Sequence, residues 1–487
     1  MLSPHFKNIS ISTSTKVLHC DSFDVINAFS AVRDEYVHAF LFEYKDKTNG
    51  GARISVIGAV PLLGIEVTDL HKGFIYMPGE NAVPIDVSGK QKPNLQPVYS
   101  FYNELLKVTS GEILPDNGLY GYCSYNAVQL HERIKFNNYK SDKTEIPLLK
   151  YDVYRFLAVY NHNSHQLRLI HNHTLKVNKD EINPFENILL NPCESDKNFE
   201  MLDGIETDMT AEKFLSHTGK AINHCLRGNV FQLVLSRRFQ SRYRGNLLEV
   251  FRHLRSANPS PYQFFFDYNG FELLGTSPEA QFIVKNNEAV INPIAGTYRR
   301  TGEFDKDRKL ALKLLEDKKE SSEHIMLVDL ARNDLSKFSK DVTVTSFKKI
   351  EFYSQLMHIV SEVKGRIEEN YQPFDLLLSN LPAGTLSGAP KYKAMQLIDE
   401  LESSSRSFYG GCIGFISFQK EINTAILIRS LLAKDGEIYF RAGAGIVESS
   451  NPESELNEID NKLRALTLAL TVAEVKQGMG SPISYQL

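Results

Sequence analysis

Residues 323–334 read EHIMLVDLARND, a run of helical period with a carboxylate and an imidazole at its head. A helix apolar on nearly every side belongs in a core. Burying Glu323 there is costly unless a positive charge meets it. Far downstream, NPESELNEIDNKL (451–463) predicts a second helix, with Asn451 as its cap and Pro452 in its first turn. Glu455, Glu458 and Lys462 then fall at i, i+3 and i+7 on one face, beside a stripe of Leu456, Ile459, Leu463 and Leu466. Read singly, Glu458 and Lys462 are a surface i,i+4 ion pair, and Glu320 and Glu323 are first-turn acids complementing a helix dipole. Read together, two E-x-x-E patterns against apolar stripes suit Mg²⁺, which takes oxygen ligands from few protein groups and keeps room for water and substrate. The cysteines and histidines lack the spacing that zinc needs.

With 487 residues and 42% hydrophobic content, the chain can bury a large core, arranged as two to four domains or one two-lobed unit. A net charge of -4 gives no overall attraction to nucleic acid or an anionic membrane. The opening MLSPHFKNIS lacks the basic and apolar regions of a signal peptide, and ALTLALTVAEV from Ala465 reads as the end of a core helix, not a membrane span. Cysteines at 20, 123, 193, 225 and 412 form no C-x-x-C. They predict reduced thiols in a cytoplasmic protein.

Short alternating runs such as ISVIGAV, GFIYM and YRFLAVY predict strands with few helices up to about residue 170. The stretch 186–209 has no clear period and is expected to link an N-terminal region (1–185) to a second domain (210–475), with 476–487 as a tail. That domain opens on a helix capped by Thr210, burying Phe214, Ile222 and Leu226 and stopping at Gly228. Strands then interleave with helices near 305–316, 321–335, 388–402 and from Pro452, which predicts an α+β fold.

Three segments place small residues and hydroxyls at strand ends: PIAGTYRRTG (293–302), LPAGTLSGAPK (381–391) and RAGAGIVESS (441–450). None is a Walker loop. Alone each reads as a turn; their amides, with Thr385 and the 443–445 backbone as donors, could also hold carboxylates. Arg429 interrupts the apolar AILIRSLL and should face an anion. SRRFQSRYRG (236–245) reads as a solvated strand end, not a nucleic-acid groove. Cys412, in GGCIGF, reads as a buried strand residue and not a nucleophile.

In this order, EHIMLVDLARND, PIAGT, MHIVSEVKG, LPAGTLSGAPK, RAGAGIV and E-x-x-E-x-x-x-K resemble the chorismate-utilising enzymes and, within them, the anthranilate synthase component I family. The likeness spans about residues 210–467 and is looser over the first 180. It implies two packed β-sheets with helices outside, and one active site in the C-terminal cleft. Mg²⁺ on Glu323 and Glu458, supported by Glu320 and Glu455, would meet the ring carboxylate of chorismate. Arg429, Tyr409, Lys462, Thr297, Thr385 and the backbone at Gly443, Ala444 and Gly445 would receive the rest of the substrate. The resemblance makes Glu279 the general acid for the departing C4 hydroxyl and links His358 to pyruvate elimination. Members that add water resemble this chain but carry lysine where Gln232 stands; an amide cannot deprotonate water, so Gln232 points to ammonia. Ala295 argues against the aminodeoxychorismate branch, whose PIAGT-like motif holds lysine.

Anthranilate and pyruvate would then form through 2-amino-2-deoxyisochorismate. The alternatives are an isochorismate or salicylate-type synthase, an aminodeoxychorismate synthase, or a non-catalytic chorismate-binding subunit. The chain lacks a glutaminase signature, which implies a separate glutamine amidotransferase subunit and a hetero-oligomer. The family's tryptophan site usually carries an LLES-like stretch and NPSPYM; here FLFEYK (40–45) and NPSPYQ (258–263) stand instead. Glu43, Pro261 and Tyr262 remain, while Tyr44 and Gln263 differ. A bulky Tyr44 would fill the pocket and weaken tryptophan inhibition.

Overall fold

The computed structural model describes residues 10–475 apart from 47–50, 78–79, 91, 112, 138–141, 175–181, 194–197, 353–355 and 369–370, and the expected tail at 476–487 lies outside the described residues. Two long strands, Ala52–Val67 and Leu149–Asn161, run antiparallel through two sheets at once. Their register shifts between Pro61 and Leu63, beside Val60 at φ +62°. Such a bulge bends the ribbon from one sheet into the other. One sheet continues through Phe40–Asp46, Tyr262–Asp267, Phe271–Ser277, Ser430–Lys434, Glu437–Ile446 and Gln232–Gly245. The other continues through Gly118–Cys123, Cys412–Ser417, Ile422–Ile426, Ala280–Lys285, Glu288–Ile291 and Leu356–Ile367, with Ser339–Phe352 at its edge.

Aromatic side chains fill the space between the sheets. Phe40 stacks on Tyr120 at 4.5 Å and on Phe266 at 4.8 Å, with Phe42 and Phe415 alongside. Each buried ring of this kind stabilises the fold by about 1.5–3 kcal/mol. The helices Val25–Glu35, Ala211–Leu226, Leu247–Ala257 and Pro452–Val475 cover one outer face. Gln96–Val108, Lys318–Ser336 and Pro373–Ser379 cover the other. The result is the expected α+β arrangement of two packed sheets with helices outside.

Four expectations are corrected. The stretch 186–209 is no bare linker: it holds the end of the helix Ile182–Leu190 and the strands Phe199–Met201 and Glu206–Thr207, both paired to Gln232–Gly245. The proposed halves are interleaved, since 40–46 pairs with 262–267 and 118–123 with 412–417. The helix Lys318–Ser336 is one-sided; Leu327, Val328, Ala331 and Leu335 face inward, while Ile325 is 49% exposed, because the helix lies on a sheet's outer face. In the helix Ala211–Leu226, Thr210 caps the Lys213 N–H at 3.3 Å and Gly228 takes φ +72° as expected, but Cys225 is buried in place of Leu226, which points to solvent.

Candidate active site

A cleft of about 680 Å³ opens where the strands Gln232–Gly245 and Glu437–Ile446 meet the two acidic helices. Glu320 and Glu323 enter from one helix and Glu455 and Glu458 from the other. Burial, then the charge of Glu323, raises the pKa of Glu320; burial, outweighing a hydrogen bond from Gln232, and then Glu458 raise that of Glu323. Burial and Glu458 likewise raise Glu455. The four acids therefore share one space and repel. Glu458 is half met by Lys462 at 2.6 Å, so the surface-pair reading of these two residues is also correct.

Among the described residues no three His, Cys, Asp or Glu side chains converge as a ready-made metal cage. The donor set nonetheless fits Mg²⁺, which binds through one or two carboxylates and leaves the remaining positions to water and substrate. Glycines keep the space open around these acids. A Cβ on Gly296 would stand 3.3 Å from Glu320 Oε2, and one on Gly445 only 2.6 Å from Gln232 Nε2. Gln232 is buried at the cleft floor and donates from Nε2 to Glu323 Oε1 at 2.9 Å.

On the opposite wall Glu279 accepts a hydrogen bond from the Thr385 hydroxyl at 3.0 Å. Burial pushes its pKa up to about 7, against the opposing pull of Thr385 and Lys462. A carboxyl that is half protonated near neutrality can act as a general acid. Thr385 thus orients the acid as well as lining the cleft. Arg429 also lines it; its Nη1 donates to Asn258 Oδ1 at 3.1 Å, and no acid pairs with it among the described residues. Burial alone lowers its pKa. Among the described residues, the expected anion is not a protein group.

Lys462 donates to the Gly443 carbonyl at 2.8 Å. Val234 N–H bonds to Ser387 O and Ser236 N–H to Glu402, although these residues stand opposite Gly445 and Gly443. In antiparallel pairing this makes Gly443 and Gly445 the non-bonded positions, whose own amides turn away from that strand. Ala444 alternates to the other side and is fully buried in the helix-side core, so it is not a cleft donor. The Tyr409 hydroxyl lies where a Cβ on Gly443 would come within 3.2 Å. His358 Nδ1 donates to the Gly296 carbonyl at 3.1 Å, which makes Nε2 the basic nitrogen of the neutral ring. Burial lowers its pKa, opposed by that bond. Thr297 stands opposite His358 in the strand register; its side chain lies outside the described residues.

Sequence reasoning missed a charged cluster beside the cleft, one member of which, Arg441, lines it. Glu402 accepts from Arg406 at 2.6 Å and from Arg441 at 3.1 Å, all three being buried. Arg406 also donates to the carbonyls of Leu386 and Val234 and sits 5.8 Å from the Tyr409 ring. The i,i+4 spacing of Glu402 and Arg406 was the available signal, but Arg441 arrives from a distant strand.

The residues expected at a tryptophan site do come together, on the neighbouring strands 40–46 and 262–267, with Glu43 opposite Gln263. Glu43 is buried and accepts from Arg255 at 2.7 Å and Arg53 at 3.1 Å. Burial pushes its carboxyl up, but these arginines outweigh it and hold the pKa below the ordinary value. The Tyr44 ring packs 5.7 Å from Phe415, with its hydroxyl on Asp116 at 2.5 Å. Arg53 also donates to Gln263 Oε1 at 2.7 Å, Tyr262 donates to Asn423 at 2.9 Å, and Pro261 lines the catalytic cleft. Cys412 keeps its plain reading, whereas 236–245 is solvated only in part: Ser236, Arg237 and Ser241 are buried, and Arg242 and Arg244 are exposed. Arg238, Arg242 and Arg244 meet Asp142, Asp203 and Glu200, and Cys412 is buried opposite Cys123. None of the five cysteines forms a disulfide, and no described helix is long and apolar enough to cross a membrane.

Comparison with known proteins gives the family. The family model described as chorismate binding enzyme matches residues 71–468. Anthranilate synthase component 1 of Acetivibrio thermocellus is 34% identical over 96% of this chain and 97% of its own length. The Aquifex aeolicus protein of the same name is 37% identical over 74% of this chain and 75% of its own. A crystal structure of anthranilate synthase component I from Streptococcus pneumoniae superposes with a TM-score of 0.72 at 32% identity, covering 85% of this chain and 92% of that one. The chain belongs to the chorismate-binding enzymes, in their anthranilate synthase component 1 family.

Proposed function

We propose that this chain makes anthranilate and pyruvate from chorismate and ammonia. The observation that carries the reading is the pairing of a buried amide, Gln232, with a half-protonated acid, Glu279, across one cleft. The amide end has no strong base of its own and suits a nucleophile that needs none. At the other end Glu279 protonates the C4 hydroxyl as ammonia bonds to C2. Arg429, Lys462 and the amides of Gly443 and Gly445 hold the enolpyruvyl carboxylate, with Tyr409 beside them. Glu323 and Glu458, with Glu320 and Glu455 adjacent, would hold Mg²⁺, which supplies counter-charge for the ring carboxylate when bound. His358 Nε2 then serves the elimination of pyruvate, in which C2 loses a proton and the enolpyruvyl carbon gains one.

Ammonia comes from a glutamine amidotransferase subunit, since this chain carries no cysteine elbow with a His-x-Glu partner. The free thiols fit a reducing cytoplasm. The crowded space around Tyr44 supports weak or absent tryptophan inhibition.

The test is to incubate the purified chain with chorismate, Mg²⁺ and ammonium and to follow anthranilate fluorescence, identifying products by mass. Anthranilate plus pyruvate, lost on chelation, is the expected result. The His358→Gln variant should stop at the amino intermediate, 2-amino-2-deoxyisochorismate. Isochorismate or salicylate formed without ammonium would overturn the reading of Gln232, and full anthranilate output from His358→Gln would remove the role of that histidine.

A further inference from the structure

A second cavity, about 40 Å³, lies behind Glu279 and shares Glu279, Leu327 and Thr385 with the main cleft. That volume has room for about three waters. Two buried amides line it. Gln281 is held by the Thr424 hydroxyl, which donates to Oε1 at 2.9 Å, and Asn380 donates from Nδ2 to the Leu376 carbonyl at 2.8 Å. Their remaining polar atoms, Gln281 Nε2 and Asn380 Oδ1, are buried with no hydrogen-bond partner among the described residues. A donor and an acceptor left over in one polar cavity are the groups that ordered water satisfies. At the far end Asp334 pairs with Lys391 at 2.8 Å and with Lys337 at 3.1 Å, and the Lys337 side chain is 45% exposed. The cavity thus runs from the acid in the cleft to an ion pair that reaches solvent.

The proposed reaction gives such a route a task. The nitrogen of ammonia bonds to C2, the ring double bonds shift, the C4–O bond breaks, and the leaving oxygen takes the Glu279 proton to depart as water. The new C2 ammonium sheds one proton, so protons balance overall. Glu279 nevertheless ends each turnover as a carboxylate. We propose that waters in this cavity carry a proton from the Asp334 end back to Glu279, with Asn380 and Gln281 as positioning residues for the chain. This rests on the reading of Glu279 as the general acid.

Asn380→Leu fills the cavity and removes the acceptor, while Asn380→Ser keeps an acceptor and leaves room for water. With ammonium as nucleophile, Asn380→Leu should lower kcat about tenfold, a fraction of what a full acid–base step contributes. KM for chorismate should be unchanged, the solvent deuterium isotope effect on kcat should rise, and Asn380→Ser should recover both. If Asn380→Leu does not fold by thermal melting, Gln281→Met carries the same test from the opposite wall. A folded variant with the rate and isotope effect of the parent overturns the relay, as does a loss that serine leaves uncorrected. Glu279→Gln separates the two ideas: if it retains activity the general-acid reading falls and the relay with it, whereas an inactive Glu279→Gln beside an unimpaired Asn380→Leu removes the relay alone.

Discussion

Two charged regions lie along one face of the strand Gln232–Gly245, and they are built on opposite rules. Around Ser236 the side chains of Glu402, Arg406 and Arg441 are buried, and each charge meets another charge or a carbonyl. Around Gln232 the carboxyls of Glu320, Glu323 and Glu455 have their pKa values raised by burial and by one another or Glu458, and across the cleft Arg429 has an amide oxygen and no acid partner among the described residues. Charges matched inside the protein hold the scaffold in one geometry. Unmatched ones gathered in one cleft are the pattern expected of a ligand site.

The largest effects should separate the two regions cleanly. Glu279→Gln is expected to lower kcat by at least ~10²-fold without loss of stability. The folded pKa of Glu279, about 7, is raised above the ordinary carboxyl value of 4.5, so its ionised form opposes folding. Stability tied to its proton is complete below pH 4.5 and is lost as pH rises through 7. The glutamine variant should therefore unfold at a higher temperature than the parent at pH 8, and at the same temperature at pH 4. Glu402→Gln should do the reverse in stability, costing about 3–5 kcal/mol because two buried guanidinium groups lose their partner. Thermal melts at both pH values, beside steady-state rates, decide it. A Glu279→Gln protein that melts earlier at pH 8 would break the contrast.

What the sequence revealed follows the same division. Residues with short-range signals were legible: Glu455, Glu458 and Lys462 share a face by helical spacing alone, and Gly228 ends its helix as the pattern demands. Arg429 stood out because a cation in an apolar run has few explanations, and it lines the cleft beside Asn258. The site's composition came from the order of its motifs, and the structure brings those motifs to one cleft. Other features depend on contacts far apart in the chain. Strand 40–46 pairs with 262–267, so the apparent domain boundary near 186–209 is crossed by hydrogen bonds that no local pattern encodes. Ala444 looked equivalent to the glycines beside it until the register with Leu235 turned it to the other side. Arg441 reaches Glu402 from a strand 39 positions downstream, and Asn380 and Gln281 meet only across two walls of one cavity.

Arg429 offers a finer test. If it awaits an anion, Arg429→Ala should raise KM for chorismate by about ten- to a hundredfold, the worth of one charge-assisted hydrogen bond. Melting temperature should hold or rise, since the variant removes a buried cation that lacks an acid partner among the described residues. Arg429→Lys should recover only part of the affinity, because an ammonium cannot offer the planar fork. A large stability loss with unchanged KM would move Arg429 to the matched side of the comparison.

The smallest expected effect concerns the strands 40–46 and 262–267, which resemble the matched layer more than the cleft. Glu43 is met by two arginines, and the Tyr44 ring occupies the space between the sheets with its hydroxyl on Asp116. A regulatory ligand that needs that carboxylate and that space would have to displace both. Tryptophan at micromolar concentration should therefore leave the rate of anthranilate formation unchanged. Tyr44→Ser, which removes the ring and leaves Glu43 in place, should make the enzyme more sensitive than the parent. Strong inhibition of the parent chain by micromolar tryptophan would mean that a charge-matched, filled region can still open for a ligand, and that charge matching separates scaffold from site less sharply than the cleft and the charged cluster beside it imply.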